Sequence, residues 1–550
     1  MTRRRRRVLL AAAAGLLLLL AFPPFGLWWT APLGLAALLL AVDGTSLRRA
    51  WLLGLLAHLV LFLPLLEWVR FLGVGPWLAL AVLQAGIAGL LGPAWLLVLR
   101  RRHVPLVVRV LGLVGAVVAV EAVRARVPFG GLTWGRLAFG QSDGWLLPWA
   151  ALGGAPLVGA MAAVAAVGVV ELLRRDSTAG RRVAAAVLLL APAVAATAVP
   201  LPVDGPTVQV AAVQGNVPRS GVEAFAEDLV VLDNHLAQTE RLAAEVRAGS
   251  RPRPDLVIWP ENASDQDPRS EPQSRQRLEQ ARRALDQPFL LGAVLDEGDR
   301  RISNALLVWG PAEGQGGVQG QGGVQGEVYR KRHLVPFGEY LPLRALAERL
   351  YPAARTLLAR DFSAGDDVGL LRLRGIPLAV GTCFEVAFDE LPRQAVRAGG
   401  ELLVLPSNNA SYGRSAQSAQ QLAMARLRAV EHGRSTVVAT TSGISALIAP
   451  DGRVLSRSGL YEPALLQAGL PRRTELTLAT RWGATIEVLL IALALAPVLR
   501  RPDRLRGRPA VAGRGADKPP LLPTEGVAAT RAPVGRSGPV TGRRRRLRRG

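Results

Sequence analysis

Three short stretches of the chain supply a thiol, a carboxylate and an amine. Val380-Gly381-Thr382-Cys383-Phe384-Glu385-Val386 carries the only cysteine in 550 residues. An apolar strand expected over Ile376 to Val380 runs into a tight turn at Cys383, and a helix-like stretch begins a few residues later. A lone cysteine forms no intramolecular disulfide, and a small buried hydrophobe would need no chemistry. Strand, cysteine turn and helix is nevertheless the setting of a nucleophile. The positive end of a helix lowers a thiol pKa, and the N–H of the next residue can face a developing oxyanion. Such a thiol needs a base and a cation.

Leu256-Val257-Ile258-Trp259-Pro260-Glu261-Asn262-Ala263 offers the base. Pro260 stops the strand's hydrogen-bond ladder, so the Glu261 carboxylate emerges at a strand end, where α/β proteins build sites. Tyr329-Arg330-Lys331-Arg332-His333-Leu334-Val335-Pro336-Phe337-Gly338-Glu339-Tyr340 offers the cation. Its mixture of basic, aromatic and apolar residues followed by Pro and Gly suits a pinned loop. Of 66 basic residues only Lys331 and Lys518 are lysine, so Lys331 marks a position that needs a compact amine. Glu339 can orient that amine or share its charge. Glu385 lies two residues beyond the thiol, where a carboxylate raises the thiol pKa unless a cation offsets it. Together these groups suit acyl transfer: Glu261 takes the thiol proton, the thiolate attacks an acyl carbonyl, and Lys331 with a backbone N–H holds the oxyanion.

The elements that must position them fall into two kinds. Half of the chain is hydrophobic, and the formal net charge is +24. That charge is not a nucleic-acid footprint, because it is concentrated in Arg3 to Arg7, in short loops between apolar runs and in the C-terminal tail. Residues 1–200 hold about seven apolar segments: Val8 to Phe22, Leu27 to Val42, Trp51 to Leu66, Trp77 to Leu99, Leu106 to Val123, Leu152 to Leu173 and Val183 to Val199. Loops on the side of the N-terminus carry Arg3 to Arg7, Arg48, Arg49, Arg100 to Arg102, Arg174, Arg175, Arg181 and Arg182. The opposite loops carry only Arg70, Arg124, Arg126 and Arg136. The asymmetry predicts a cytoplasmic N-terminus, and an odd number of crossings puts the next segment outside.

That segment, residues 201–480, alternates strand-like and helix-like runs and reads as one α/β domain. Strands are expected at Thr207 to Val213, Asp255 to Trp259, Phe289 to Val294, Ala305 to Trp309, Gly369 to Leu373, Ile376 to Val380, Glu401 to Leu405, Thr436 to Thr440 and Ala446 to Ile448. Helices are expected at Val222 to Arg247, Ser270 to Leu285, Asp389 to Arg397 and Gln417 to His432. The twice-repeated Gly-Gln-Gly-Gly-Val-Gln of Gly314 to Gln325 reads as a flexible hairpin loop. Ala484 to Leu499, followed by Arg500 and Arg501, reads as an eighth span that returns the chain to the cytoplasm. Residues 500–550 read as a basic, disordered tail.

Trp259-Pro260-Glu261, Lys331 with His333-Leu334-Val335-Pro336-Phe337-Gly338-Glu339, and Cys383-Phe384-Glu385 stand in the order and approximate spacing of the nitrilase (carbon-nitrogen hydrolase) superfamily. On a multi-spanning chain they resemble the apolipoprotein N-acyltransferase family. Phe22-Pro23-Pro24-Phe25-Gly26, Val213-Gln214-Gly215-Asn216 and Thr480-Arg481-Trp482-Gly483 extend the resemblance over nearly the whole chain. It implies a multi-pass helical domain of about eight spans and an outer αββα sandwich, with Glu261, Lys331 and Cys383 as triad and Glu339, Phe384 and Glu385 in support. The implied reaction is ping-pong. An acyl chain passes from a phospholipid to Cys383 as a thioester, then to the α-amine of the diacylglyceryl-cysteine of a lipoprotein, without ATP, metal or coenzyme. The resemblance further implies a bacterial plasma (inner) membrane enzyme acting as a monomer, with its catalytic domain on the outer face and both termini cytoplasmic.

Two features depart from the family pattern. Asn408-Asn409-Ala410-Ser411-Tyr412-Gly413 stands where members commonly carry an acidic residue and a Trp-Phe pair, and Phe384 stands where Tyr is frequent. Trp68, Trp134 and Trp482 are expected either to line a lipid entry or to form an interfacial belt. The same triad would also serve a membrane-tethered amidase that hydrolyses its thioester, but such an enzyme has no need of the membrane half. A transporter would place ionisable residues deep in its spans. Here Arg109, Glu121, Glu171 and Glu487 lie near segment ends and only His58 is central.

Overall fold

Apolar runs of this length fold as helices because every backbone polar group is then satisfied within the segment. The computed structural model describes residues 2–101, 104–174, 178–217, 229–298, 301–311, 322–350, 352 and 360–499. The N-terminal part contains α1 (Arg3–Ala21), α2 (Thr30–Val42), α3 (Leu47–Leu65), α4 (Val74–Ala88), α5 (Leu91–Leu99), α6 (Leu106–Arg124), α7 (Ala150–Leu172) and α8 (Ala179–Ala196). A further helix, Leu478–Leu493, follows the α/β part of the chain. Among the described residues, five helical stretches are long and apolar enough to cross a membrane: α3, α4 with α5, α6, Leu147–Leu172 and α8. The expected span Trp77 to Leu99 is broken between α4 and α5 at Gly89 and Leu90. Val183, Val187, Leu190 and Val194 are spaced along one side of α8 and all exposed. Such an uncovered apolar stripe is suited to lipid, and the protein is an integral membrane protein.

Small residues let these helices approach closely, as membrane packing requires. A Cβ on Gly15 of α1 would lie 2.1 Å from the Ala57 carbonyl oxygen of α3. One on Gly92 of α5 would lie 2.1 Å from the Ala50 oxygen.

Among the described residues, the α/β part contains two six-stranded sheets. The first has the order β12-β1-β2-β3-β4-β5 and the second β11-β10-β9-β8-β7-β6. The strands are β1 (Thr207–Gln214), β2 (Leu256–Ile258), β3 (Phe289–Asp296), β4 (Ile302–Pro311), β5 (Gly322–Arg330), β6 (Leu370–Leu373), β7 (Ile376–Val380), β8 (Leu402–Ser407), β9 (Thr436–Thr440), β10 (Ala446–Ile448), β11 (Val454–Arg457) and β12 (Ala464–Pro471). Alternation along the strands divides the core. Val208, Val210 and Ala212 join Leu378, Val380, Leu402 and Val404 between the sheets. Ala211 and Val213 face the other way, onto α9 (Val230–Arg247) and α10 (Pro272–Leu285). On the far face of the second sheet, Leu403 and Leu405 share one cluster with Leu422 and Val430 of helix Gln417–His432 and with the membrane helices. The layers are therefore αββα, with one outer helical layer packed on the membrane half.

Several expectations need correction. Gly322 to Gln325, read as loop, begin β5, which pairs with β4 from Gly322 opposite Pro311; the other repeat residues, 314–321, lie outside the described residues. Tyr329 and Arg330 close β5 rather than opening a loop. The edge strands β11 and β12 were not expected, because Gly, Ser and Pro interrupt their apolar pattern. The described part of the first expected helix starts at Val230, residues 218–228 lying outside the description, as does the basic tail 500–550.

A glycine inside a strand marks close backbone approach. Gly292 of β3 does so: a Cβ there would lie 2.5 Å from Glu261 Cα and 2.6 Å from the Pro260 oxygen. Gly292→Ala is expected to destabilise the protein by about 1–3 kcal/mol through overpacking. Thermal unfolding of the purified full-length protein in detergent checks this, and an unchanged midpoint would show that the strand has room for a methyl group.

Candidate active site

Glu261, Lys331 and Cys383 each stand just beyond a strand end, those of β2, β5 and β7. Lys331 Nζ lies 3.2 Å from Glu261 Oε1 and 2.7 Å from Glu339 Oε1. All three side chains are buried, and Lys331 is only 1% exposed. Burial alone would strip the amine of its proton. The charges of Glu261 and Glu339 outweigh that and hold it protonated, well above the ordinary lysine range.

Two groups that sequence reasoning missed complete the carboxylate's surroundings. Asn304 on β4 donates from Nδ2 to Glu261 Oε1 at 2.5 Å and to Glu339 Oε1 at 3.2 Å. The backbone N–H of Asn408 donates to Glu261 Oε2 at 2.6 Å. The departing loop after β8 therefore contributes through its backbone, which explains how its side chains can differ. Burial raises the pKa of Glu261 in spite of Lys331, Asn304 and Asn408, with Glu339 adding to the rise. A carboxylate tuned upward is a better base than an ordinary one.

Glu385 does not share the amine. It lies fully buried and accepts from the N–H groups of Thr382 (2.7 Å), Arg332 (2.8 Å) and His333 (3.0 Å), and from the Tyr329 hydroxyl (2.8 and 2.9 Å). It thereby ties the cysteine turn to the lysine loop. Burial and the Glu385 charge keep the Tyr329 phenol protonated, with its pKa well above the ordinary value. Tyr329 was visible only as part of an aromatic-basic run, with nothing in its spacing to single it out.

The cysteine turn itself is a short 3-10 element, Cys383–Ala387, and the expected helix follows a few residues later as Glu390–Arg397. Cys383 itself has φ of +49°, a left-handed conformation that costs a non-glycine residue energy and is found at sites that over-determine it. The expected lowering of the thiol pKa does not hold. Burial, and then the Glu261 charge, push it upward, with only Lys331 acting against them. A five-residue turn offers too little dipole to compete. The thiol is protonated at rest and faces a carboxylate able to take its proton.

Phe384 packs among aromatic rings: Trp134 stacks on it at 6.4 Å between centroids, and Phe388 meets it edge-on at 5.0 Å. Trp68 lies 4.9 Å from Trp134, and Tyr412 lies edge-on to both Trp68 and Phe71. Trp68 and Trp134 thus join the site's apolar wall, while Trp482 stands 60% exposed on the last helix.

Because Cys383 is the only thiol, its titration can be followed directly by ultraviolet absorbance. The midpoint is expected above that of an ordinary cysteine, and Glu261→Gln is expected to move it down by removing a neighbouring negative charge. A wild-type midpoint below the ordinary value would instead reveal a preformed thiolate–lysine pair.

Two stretches of the chain match known families. Residues 14–168 match the family model for the apolipoprotein N-acyltransferase N-terminal domain, and residues 209–477 match that for carbon-nitrogen hydrolases. An apolipoprotein N-acyltransferase of Mycolicibacterium smegmatis is 40% identical over 510 residues, covering 87% of this chain and 82% of that one. One of Pseudomonas putida is 31% identical over 499 residues, covering 86% and 93%. Among solved structures, an amidase from Nesterenkonia sp. AN1 aligns over 53% of this chain and 98% of its own, at 20% identity and a TM-score of 0.36. Likeness that runs through the membrane helices and the α/β domain alike is decisive: the chain belongs to the apolipoprotein N-acyltransferase family.

Proposed function

We propose that this enzyme moves a fatty acyl chain from a membrane phospholipid to Cys383 and then to the N-terminal α-amine of the diacylglyceryl-cysteine of lipoproteins. The observation that carries the reading is the buried group of Glu261, Lys331 and Glu339 facing a lone thiol, in a domain built onto membrane helices. In the first half-reaction Glu261 takes the thiol proton as sulfur attacks the ester carbonyl, and Lys331 with the Phe384 N–H stabilises the oxyanion. Collapse expels the lysophospholipid alkoxide, which takes the proton back from Glu261. In the second, Glu261 accepts a proton from the attacking amine, and the thioester carbon passes to nitrogen with release of the thiol.

In this reading residues 201–480 form the catalytic domain on the outer face, and 1–200 with 484–499 form an eight-span membrane domain with cytoplasmic termini. The arginine asymmetry supports that orientation. The lipid donor is supported by the shared core of the second sheet and the membrane helices, which packs the nucleophile turn against those helices. The enzyme would act as a monomer, as the family resemblance implies.

The test is acyl transfer by the full-length protein in phospholipid vesicles to a synthetic diacylglyceryl-cysteinyl peptide. Wild type is expected to acylate the free amine and to spare an N-acetylated peptide, whereas release of free fatty acid alone would identify a hydrolase. Glu261→Gln is expected to lower the rate by about 10²–10⁴-fold, the range for a lost general base. Since burial raises the Glu261 pKa, activity should fall on acidification at a pH above the ordinary glutamate value. A rate independent of pH there would remove Glu261 from the base role.

A further inference from the structure

A buried, heavily charged cluster that the triad does not use lies where the nucleophile turn meets the membrane half. Arg428, fully buried on helix Gln417–His432, donates from Nε to the Val386 oxygen at 2.8 Å and from Nη2 to the Ala387 oxygen at 2.9 Å. Those carbonyls end the 3-10 turn that begins at Cys383. Arg428 also holds Asp389 Oδ1 at 2.8 Å and pairs with Glu431.

The other oxygen of Asp389, Oδ2, receives Arg136 Nη1 at 2.5 Å. Arg136 belongs to the loop after α6, is 1% exposed, and stands 3.9 Å from Glu121 of α6 and 3.7 Å from Glu487 of the last helix. Asp389 thus bridges a cation that grips the turn and a cation that grips the membrane helices. Burial would keep its carboxyl protonated, but Arg136 and Arg428 hold it ionised, well below the usual range.

The arrangement has a chemical reason. Cys383 occupies a strained left-handed conformation, and Glu385 fixes the turn only from its N-terminal side. Something must restrain the other end, and buried guanidinium groups supply rigid, bidentate holds.

We infer that Arg428, Asp389 and Arg136 are positioning residues that set the attack geometry of Cys383 and couple it to the packing of α6 and the last helix. The inference rests on the acyl-transfer reading for its kinetic test, though not for its thiol-modification test. Asp389→Asn keeps the side chain's shape and removes its charge. A small displacement of a reacting group costs up to about 10²-fold in rate, so kcat for acyl transfer should fall roughly 10- to 100-fold with the KM for phospholipid unchanged. Modification of Cys383 by iodoacetamide, which needs no acyl substrate, should accelerate several-fold as the turn loosens. Arg428→Lys should act alike, and the double variant should be no worse than the poorer single, because groups acting as a unit are not additive.

Unchanged kcat and unchanged alkylation in folded Asp389→Asn would overturn the inference, as would independent, multiplying losses in the double variant. A loss that tracks a lowered unfolding temperature and recovers on cooling would assign the network to stability alone and overturn it too. Should Asp389→Asn fail to fold, Glu487→Gln leaves the Arg136–Asp389 pair in place and should lower kcat in the same direction, with full kcat contradicting the inference. A wild-type protein that transfers no acyl group, yet shows the alkylation effect, would reject the functional reading and keep the positioning role.

Discussion

The structure depends on one ammonium group buried between two carboxylates. Removing an amine from water is costly, and only close, hydrogen-bonded counter-charges make it tolerable. Lys331 has them at 3.2 and 2.7 Å, with Asn304 clamping both carboxylates from the side. With both carboxylates ionised the group carries one net negative charge, so a thiolate beside it would add a second. The thiol therefore stays protonated until attack. When Glu261 takes the proton, the single negative charge passes from carboxylate to sulfur and on to the oxyanion, and the total in the buried site never changes. This constraint explains why an enzyme with so reactive a task holds its cysteine in a less acidic form than free cysteine.

The remaining architecture meets the demands of that cluster. Glu261, Lys331 and Cys383 stand beyond strand ends of both sheets, so the sandwich must be rigid, and the apolar residues between β1, β2, β7 and β8 provide that. The substrates proposed for it are lipids, so the sandwich must also stand on the membrane. The outer helix layer of the second sheet packs into the same apolar cluster as the membrane helices. Tethering by a flexible linker would leave the thiol's position relative to the membrane helices undefined, whereas a shared core fixes it.

Much of this was legible in the sequence because the strongest signals were local. Strand ends at Pro260 and Gly381, apolar runs of membrane length and a rare lysine placed Glu261, Cys383 and Lys331 at the right kinds of position. Long-range pairing was not legible. Asn304 and Tyr329 sit in strands with ordinary neighbours, and only the register of β4 with β5 and the packing of the two sheets bring them to Glu261 and Glu385. Asn408 acts through a backbone N–H, which no side-chain pattern can reveal. The sign of the thiol shift was misread because a strand-to-helix pattern suggested a dipole, while the real turn is short and burial wins. The edge strands β11 and β12 escaped because their pairing partners, not their composition, make them strands.

Acyl transfer through Cys383 requires a covalent acyl-enzyme, which mass spectrometry of that cysteine can detect. The full-length protein is incubated with phospholipid alone, then given a diacylglyceryl-cysteinyl peptide. The Cys383 peptide should gain the mass of one acyl chain and lose it on addition of the acceptor, and the same mass should appear on the acceptor's α-amine. Transfer to the amine without any acylation of Cys383, under conditions that trap thioesters, would contradict that route.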